Sequence, residues 1–223
     1  MSSQDTHDFY HDLSWSALSG AALSFVDAEW IERTQHPVLM RWLAESRRTR
    51  AFAARQLRED FQLEPLPVLA SEAFPANILR RGPVFLKKFV FHIGLIGYSE
   101  IVRRSIDGRF KRHFWSLVGE DGYVFASKRA VLYNPGLIVR CVPPLQTGDS
   151  FVTELDINVV GLRVLTAVLK QNGEALIRRV NLMFPIAVVS ACRQVGAVEV
   201  DERELSILTR MMLKLCTELG ESS

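Results

Sequence analysis

The sequence has little of what the common catalytic machineries require. It contains no Gly-x-Ser-x-Gly elbow to hold a nucleophilic serine and no Walker-type Gly-Lys-Ser/Thr loop to cradle phosphate. Gly94 and Gly97 lack the third glycine and the preceding strand of a dinucleotide site, so they are expected to serve close helix packing. Cysteine is scarce. Cys141, Cys192 and Cys216 are odd in number, far apart and without a Cys-x-x-Cys pair, which argues against a disulfide framework or a zinc knuckle and fits a reducing cytoplasm. Long apolar runs are missing too: "IAVVSAC", residues 186–192, is far below the roughly 20 residues a helix needs to cross a bilayer. The opening "MSSQDTHDFYHDLSW" is polar and acidic where a signal peptide would be basic and then apolar, so no export is expected. Nor is there an excess of one charge. A net charge of +2 gives the whole chain no general affinity for nucleic acid.

What is present suits an ordinary globular chain: 48% apolar and 23% charged residues over 223 positions, enough to bury a substantial core. Residues 1–24 lack sustained periodicity and are expected to form a loosely ordered lead-in, with one short helix near residues 13–18. A helical domain is expected over 25–223. Asp27 is placed to cap a helix over "AEWIERT", with Glu29 in its first turn. Pro37 starts a helical pattern that runs to about residue 60 and bends near Ser46. The proline-rich "EPLPVLASEAFP" interrupts regular structure.

Beyond Gly82, the series Phe91, Leu95, Tyr98, Val102 and Ile106 recurs at steps of three or four and predicts a helix over 84–105, ended by Asp107-Gly108. Helices over 109–118 and 120–132 are expected next, the second closed by "YNPG". Thr153 can cap the element after the connector "CVPPLQTGDS". Two readings then compete. Leu155, Val159, Leu162, Leu165 and Leu169 form a helical stripe too long for a typical strand, yet Asn172-Gly173 and the β-branched content also suit a hairpin over 160–184. The stripe length favours helix. Finally, Asp201 and Glu204 have capping-box spacing before a seam of Leu205, Leu208, Met212, Leu215 and Leu219. The expected fold class is all-α.

Chemistry-bearing residues form no catalytic constellation in this pattern. His7 and His11, with Asp8 and Asp12, lack a third closing ligand, so no metal or other cofactor is expected. His92 suits a helix surface or core edge, and His113 extends a basic run. Adjacent acids such as Glu120-Asp121 point apart on a helix, and no enzymatic activity is expected. The basic clusters carry more. One comprises Arg80, Arg81, Lys87, Lys88, Arg103, Arg104, Arg109, Lys111 and Arg112; the other Arg41, Arg47, Arg48, Arg50, Arg55 and Arg58. These can be solvated helix faces, a docking surface for an acidic protein, or, with Phe110, Phe114 and Trp115 stacking on bases, a nucleic-acid surface. The nucleic-acid reading is the alternative function; the balanced overall charge weighs against it. Phe110 and Phe114 also have the four-residue spacing of a core edge. Arg103, Arg104, Arg109 and Arg112 are the candidate partner-binding residues, since guanidinium suits carboxylate. Arg103 and Arg104 are equally placed to favour the C-terminal end of their own helix through its dipole.

In their order, three segments resemble one known family. "ALSFVDAEWIERTQHP" is similar to its opening helix start, and "IGLIGYSEIVRRSIDGRFKRHFWSLVGEDGYVFASKRAVLY" to its central signature of apolar helix, paired arginines and shorter helices. "GLRVLTAVLKQNGEALIRRVNLMFP" is similar to its late segment, where Arg178 and Arg179 precede an apolar run. This is the SctK family of type III secretion systems, accessory proteins of the cytoplasmic sorting platform. The resemblance implies a mainly helical, non-catalytic adaptor at the cytoplasmic face of the inner membrane. It would link the forkhead-associated-like cytosolic domain of the inner-membrane ring protein SctD to the pod protein SctQ, and through the pods act beside the SctL and SctN ATPase complex. Nucleic acid and membrane insertion have no part in that role.

Overall fold

A computed structural model describes residues 25–45, 49–64, 74–133, 136–142 and 151–221. The expected short helix near residues 13–18, the His7 and His11 pair, the "YNPG" stop at its Asn134-Pro135 and most of both proline-rich connectors lie outside them. The fold is all-α, and no strand occurs among the described residues. In chain order the helices are α1 (Ala28–Ile31), α2 (Pro37–Glu45), α3 (Arg50–Asp60), α4 (Ala76–Leu79), α5 (Gly82–Arg104) and α6 (Gly108–Val124). They continue with α7 (Gly136–Val139), α8 (Glu154–Leu169), α9 (Glu174–Asn181), α10 (Ile186–Val195) and α11 (Glu202–Glu221). Among the described residues, one compact unit takes those up to Lys87 together with Leu169–Ile186, and the other takes Lys88–Val168 with Ala187 onward.

The first unit is tied together at its earliest turn. Asp27 caps α1 by accepting from the Glu29 N–H at 3.3 Å, as its position predicts. That short helix is also bound to a segment more than 150 residues away. The Asp27 N–H donates to the Leu182 carbonyl at 2.7 Å, the Trp30 indole N–H to the Phe184 carbonyl at 2.8 Å, and the Ile186 N–H to the Glu29 carboxylate at 2.8 Å. Glu29 thus satisfies an orphan donor at the start of α10, a role its first-turn position in α1 did not disclose. Each such bond contributes about 1 kcal/mol net. The helical pattern of 37–60 forms two helices, α2 and α3, and the Thr49 hydroxyl donates to the Leu43 carbonyl at 2.7 Å before α3 begins. Met40, Leu43, Ala53 and Leu57 form their common core, with Val26, Ile31 and Phe61 packed against it.

In the second unit α5 and α8 approach each other backbone to backbone. A β-carbon on Gly94 would stand 2.0 Å from the Ile157 carbonyl oxygen, and one on Gly161 would stand 1.9 Å from that of Val90. Each helix therefore offers a glycine to the other's backbone, and close packing is the use of Gly94, as expected. Gly97 opens a similar space, where a β-carbon would lie 3.0 Å from Val160 and 3.1 Å from Ile138. Helix α8 begins at a reciprocal cap: the Asp156 N–H donates to the Thr153 hydroxyl oxygen at 3.2 Å and the Thr153 N–H to the Asp156 carboxylate at 2.8 Å. It is buried on nearly every side through Ile157, Val160, Leu162, Val164, Leu165 and Val168. That all-round burial explains the β-branched content that also suited a hairpin; the segment 160–184 holds no strand, being helical up to Asn172 and again over Glu174–Asn181. Gly173, at φ 94°, ends the turn of residues 170–172 and leads into α9.

Three sequence expectations shift. Helix α5 stops at Arg104, so Ile106 is not on the apolar stripe but 99% exposed in the link to α6. Asp107 does not end α5; it caps α6, accepting from the Arg109 N–H at 2.8 Å. The two shorter helices expected next meet at Gly119, whose φ of 73° interrupts α6, and a π-helical turn over Phe125–Arg129 and a 3-10 turn over Ala130–Tyr133 follow. The last helix agrees with its seam: Leu208, Met212, Leu215 and Leu219 are buried and Leu205 is half-buried. Its capping box is formed, with the Glu204 N–H donating to Asp201 at 2.7 Å and the Asp201 N–H to Glu204 at 3.2 Å.

Candidate docking surface

Arg103 and Arg104 occupy the last turn of α5, and Arg109 and Arg112 the first turns of α6. The link between them is short because Asp107 caps α6 at once, and the Asp107 N–H donates to the Ser105 hydroxyl oxygen at 3.3 Å. All four arginines are exposed. The reason lies on the opposite side of α6, where Phe110 and Phe114 are buried with ring centroids 5.9 Å apart. Arg109 and Arg112, three residues apart, are left on the outer face.

Their charges are little compensated. Arg104 meets Glu100 one turn earlier at 3.5 Å, with a side chain 79% exposed, a pair worth a few tenths of a kcal/mol at about the level of other exposed helix pairs. Arg103, Arg109 and Arg112 form no ion pair among the described residues. Glu100, Arg103 and Arg104 line an open cleft of about 210 Å³. Neither Arg103 nor Arg104 hydrogen-bonds a carbonyl of its own last turn among the described residues; the Ser105 N–H takes the Ile101 carbonyl instead.

The wider basic cluster is divided by its contacts. Lys87 pairs with Asp27 at 2.8 Å, and the Arg81 guanidinium lies 4.8 Å from the centre of the Phe85 ring. Arg41 donates to Glu32 at 2.8 Å. Arg178 is exposed and reaches the Gln62 carbonyl at 3.5 Å, whereas its neighbour Arg179 is 3% exposed and donates to the Ala175 carbonyl at 3.2 Å. Burial pulls the Arg179 pKa down, Arg58 acts in the same direction, and Glu64 opposes both. Nothing in the sequence distinguishes the two members of that pair.

The aromatic residues that would serve nucleic acid are occupied elsewhere. Phe110 and Phe114 belong to the core edge, and Trp115, 49% exposed, has its ring stacked on Tyr123 at 5.2 Å. His113 does more than extend the basic run. Its Nε2 is 2.9 Å from the Val152 carbonyl and its ring lies against Phe151 at 4.7 Å, so it holds the residues that lead into α8. His92 is at a core edge, with Nδ1 2.8 Å from the Lys88 carbonyl and its ring edge-on to Phe125.

These features define a helical protein with an exposed guanidinium surface built on the end of α5 and the capped start of α6. A family model described as YOP proteins translocation protein K (YscK) matches residues 21–223. The chain belongs to that family, the SctK proteins of type III secretion. Neither a curated protein nor a solved structure matches it. No helix among the described residues is long and apolar enough to cross a membrane.

Proposed function

We propose that this chain is a non-catalytic cytoplasmic adaptor of the type III secretion sorting platform, joining the cytosolic domain of the inner-membrane ring protein SctD to the pod protein SctQ. Family membership over residues 21–223 supports the system. The observation that supports a binding role is the outward display of Arg103 and Arg104 from the last turn of α5 and of Arg109 and Arg112 from the start of α6, which Asp107 caps. Planar guanidinium groups can take carboxylates two-point, and at an exposed rim they raise association rate and set register more than they add affinity. The bridging itself makes and breaks no covalent bond.

The test is direct binding of the purified chain to the cytosolic domain of SctD and to SctQ from the same bacterium. Both should bind, and the double change Arg103→Glu with Arg104→Glu should weaken one contact about tenfold and flatten its salt dependence. Recovery of neither protein overturns the adaptor reading. Retention on DNA at low salt that falls steeply as salt rises would favour nucleic acid instead.

A further inference from the structure

Helix α2 is apolar on two sides. Met40 and Leu43, 1% and 6% exposed, face the core with Ala53 and Leu57, as a surface helix should. The other side carries Val38, Leu39 and Trp42, which are 76%, 45% and 63% exposed. Their spacing of three and four places them together on the helix surface. On α3, Phe52 is 53% exposed, and the exposed Arg55 follows it by three residues. Trp and Phe left in water beside a finished core mark a binding surface, because aromatic anchors supply most of the energy of protein interfaces.

Charge identifies what covers it. Residues 37–60 contain six arginines, Arg41, Arg47, Arg48, Arg50, Arg55 and Arg58, no lysine, and three acids, Glu45, Glu59 and Asp60. A second copy of this chain would bring the same excess of positive charge against itself, which disfavours self-association. A membrane is also a poor fit. An interfacial helix sinks its apolar face several ångströms into the lipid, whereas α2 is fixed to α3 through Met40 and Leu43 and, among the described side chains, exposes three large apolar ones. Arginine alone, without lysine, is the composition suited to forked recognition of carboxylates.

We propose that α2 and α3 form a docking surface for an acidic, amphipathic segment of a partner protein. Its apolar side chains cover Val38, Leu39 and Trp42, and its carboxylates meet the exposed Arg55 and Arg58 of α3. The surface is argued from α2 and α3 alone, so it goes beyond the adaptor contacts proposed above.

The test places the photo-reactive p-benzoylphenylalanine at residue 38, at residue 42 and, as a control, at the exposed Val84, in the full chain expressed in its own bacterium with an assembled secretion apparatus. Adducts are expected at 38 and 42 and not at 84. The partner peptide, sequenced by mass spectrometry, should contain clustered apolar residues and more Asp and Glu than Lys and Arg. Changing Arg55→Glu with Arg58→Glu should cut the yield at least about tenfold, and Trp42→Ala should weaken association about thirtyfold while leaving the melting temperature unchanged. An adduct to this chain itself, to nucleic acid or to a basic peptide overturns the proposal. So does no adduct, or Trp42-dependent binding of the purified chain to phosphatidylglycerol vesicles. An acidic adduct on a protein other than SctD or SctQ supports this surface as one separate from the adaptor contacts. Binding of both proteins without adducts at 38 and 42 overturns this surface and keeps the adaptor role.

Discussion

Gly161 takes the Val90 carbonyl into the space where any other residue would carry its β-carbon, 1.9 Å from that oxygen. Across the same pair of helices Gly94 does likewise with Ile157, so the crossing of α5 and α8 is set by two glycines, one on each helix. Backbone against backbone leaves no soft side chain to yield.

Gly161→Ala should therefore push the helices apart and destabilise the second unit by about 3 kcal/mol, lowering the melting temperature by roughly 10 °C. Gly94→Ala should do the same. Gly173→Ala, where φ is 94° but no atom lies within 4 Å of the added carbon, should cost only about 1 kcal/mol. Calorimetry of the three variants checks the ranking, and equal losses would contradict it.

Glu218 on α11 holds two groups of the turns that follow α6: it accepts from the Tyr133 hydroxyl and pairs with Arg129. Tyr133 is 4% exposed, so losing the carboxylate leaves a buried hydroxyl unsatisfied. Glu218→Ala should lower stability by about 2 kcal/mol in urea unfolding, and Glu218→Gln, which retains an acceptor, should lose about half as much.

His92 gives the protein a pH-dependent stability. Burial pulls its pKa below the ordinary 6.5; the bond to the Lys88 carbonyl opposes this, while the charges of Lys88 and Arg129 reinforce it. The unfolded chain then binds more protons than the folded one just below pH 6.5. Stability present above that pH should be lost as pH falls through the folded value. His92→Gln should remove one proton's worth of this slope, measured as melting temperature between pH 7.5 and about 5.

Two thiols should be slow to react. Burial pushes Cys192 up to about 11 against the opposing charge of Arg163, and burial raises Cys141 as well. At pH 8, iodoacetamide should modify Cys192 in the native protein about a hundredfold more slowly than in guanidinium chloride, because so little thiolate is present. Peptide mapping of the alkylated sites reads the ratio directly.

Local signals were the legible ones. Asp27, Thr153 and the Asp201 and Glu204 pair cap helices where their spacing predicts, because a cap is decided within four residues. The sequence marks Asp107 as a boundary, but only the structure shows it starting α6 instead of ending α5. Ile106 falls outside the helix that its spacing predicts, because hydrophobic periodicity carries on past the point where the backbone leaves the helix. The contacts that sequence could not disclose are remote ones: Trp30 with Phe184, His113 with Val152, Gly161 with Val90. Within the guanidinium surface, residue type and clustering were readable. The burial of Phe110 and Phe114, which turns Arg109 and Arg112 outward, depends on a core assembled from elsewhere in the chain.

The bonds from residues 27–30 to residues 182–186 bear on how the protein is made. During synthesis the start of the chain leaves the ribosome long before its partner segment exists, so α1 must wait through some 150 residues, or about ten seconds or more of translation, for Leu182, Phe184 and Ile186 to emerge. The other unit is interrupted in the same manner, with Lys88–Val168 awaiting Ala187 onward. Neither can close as a nascent N-terminal domain. A message truncated before residue 182 would therefore yield a chain with both units unfinished and their apolar faces open to chaperones and proteases.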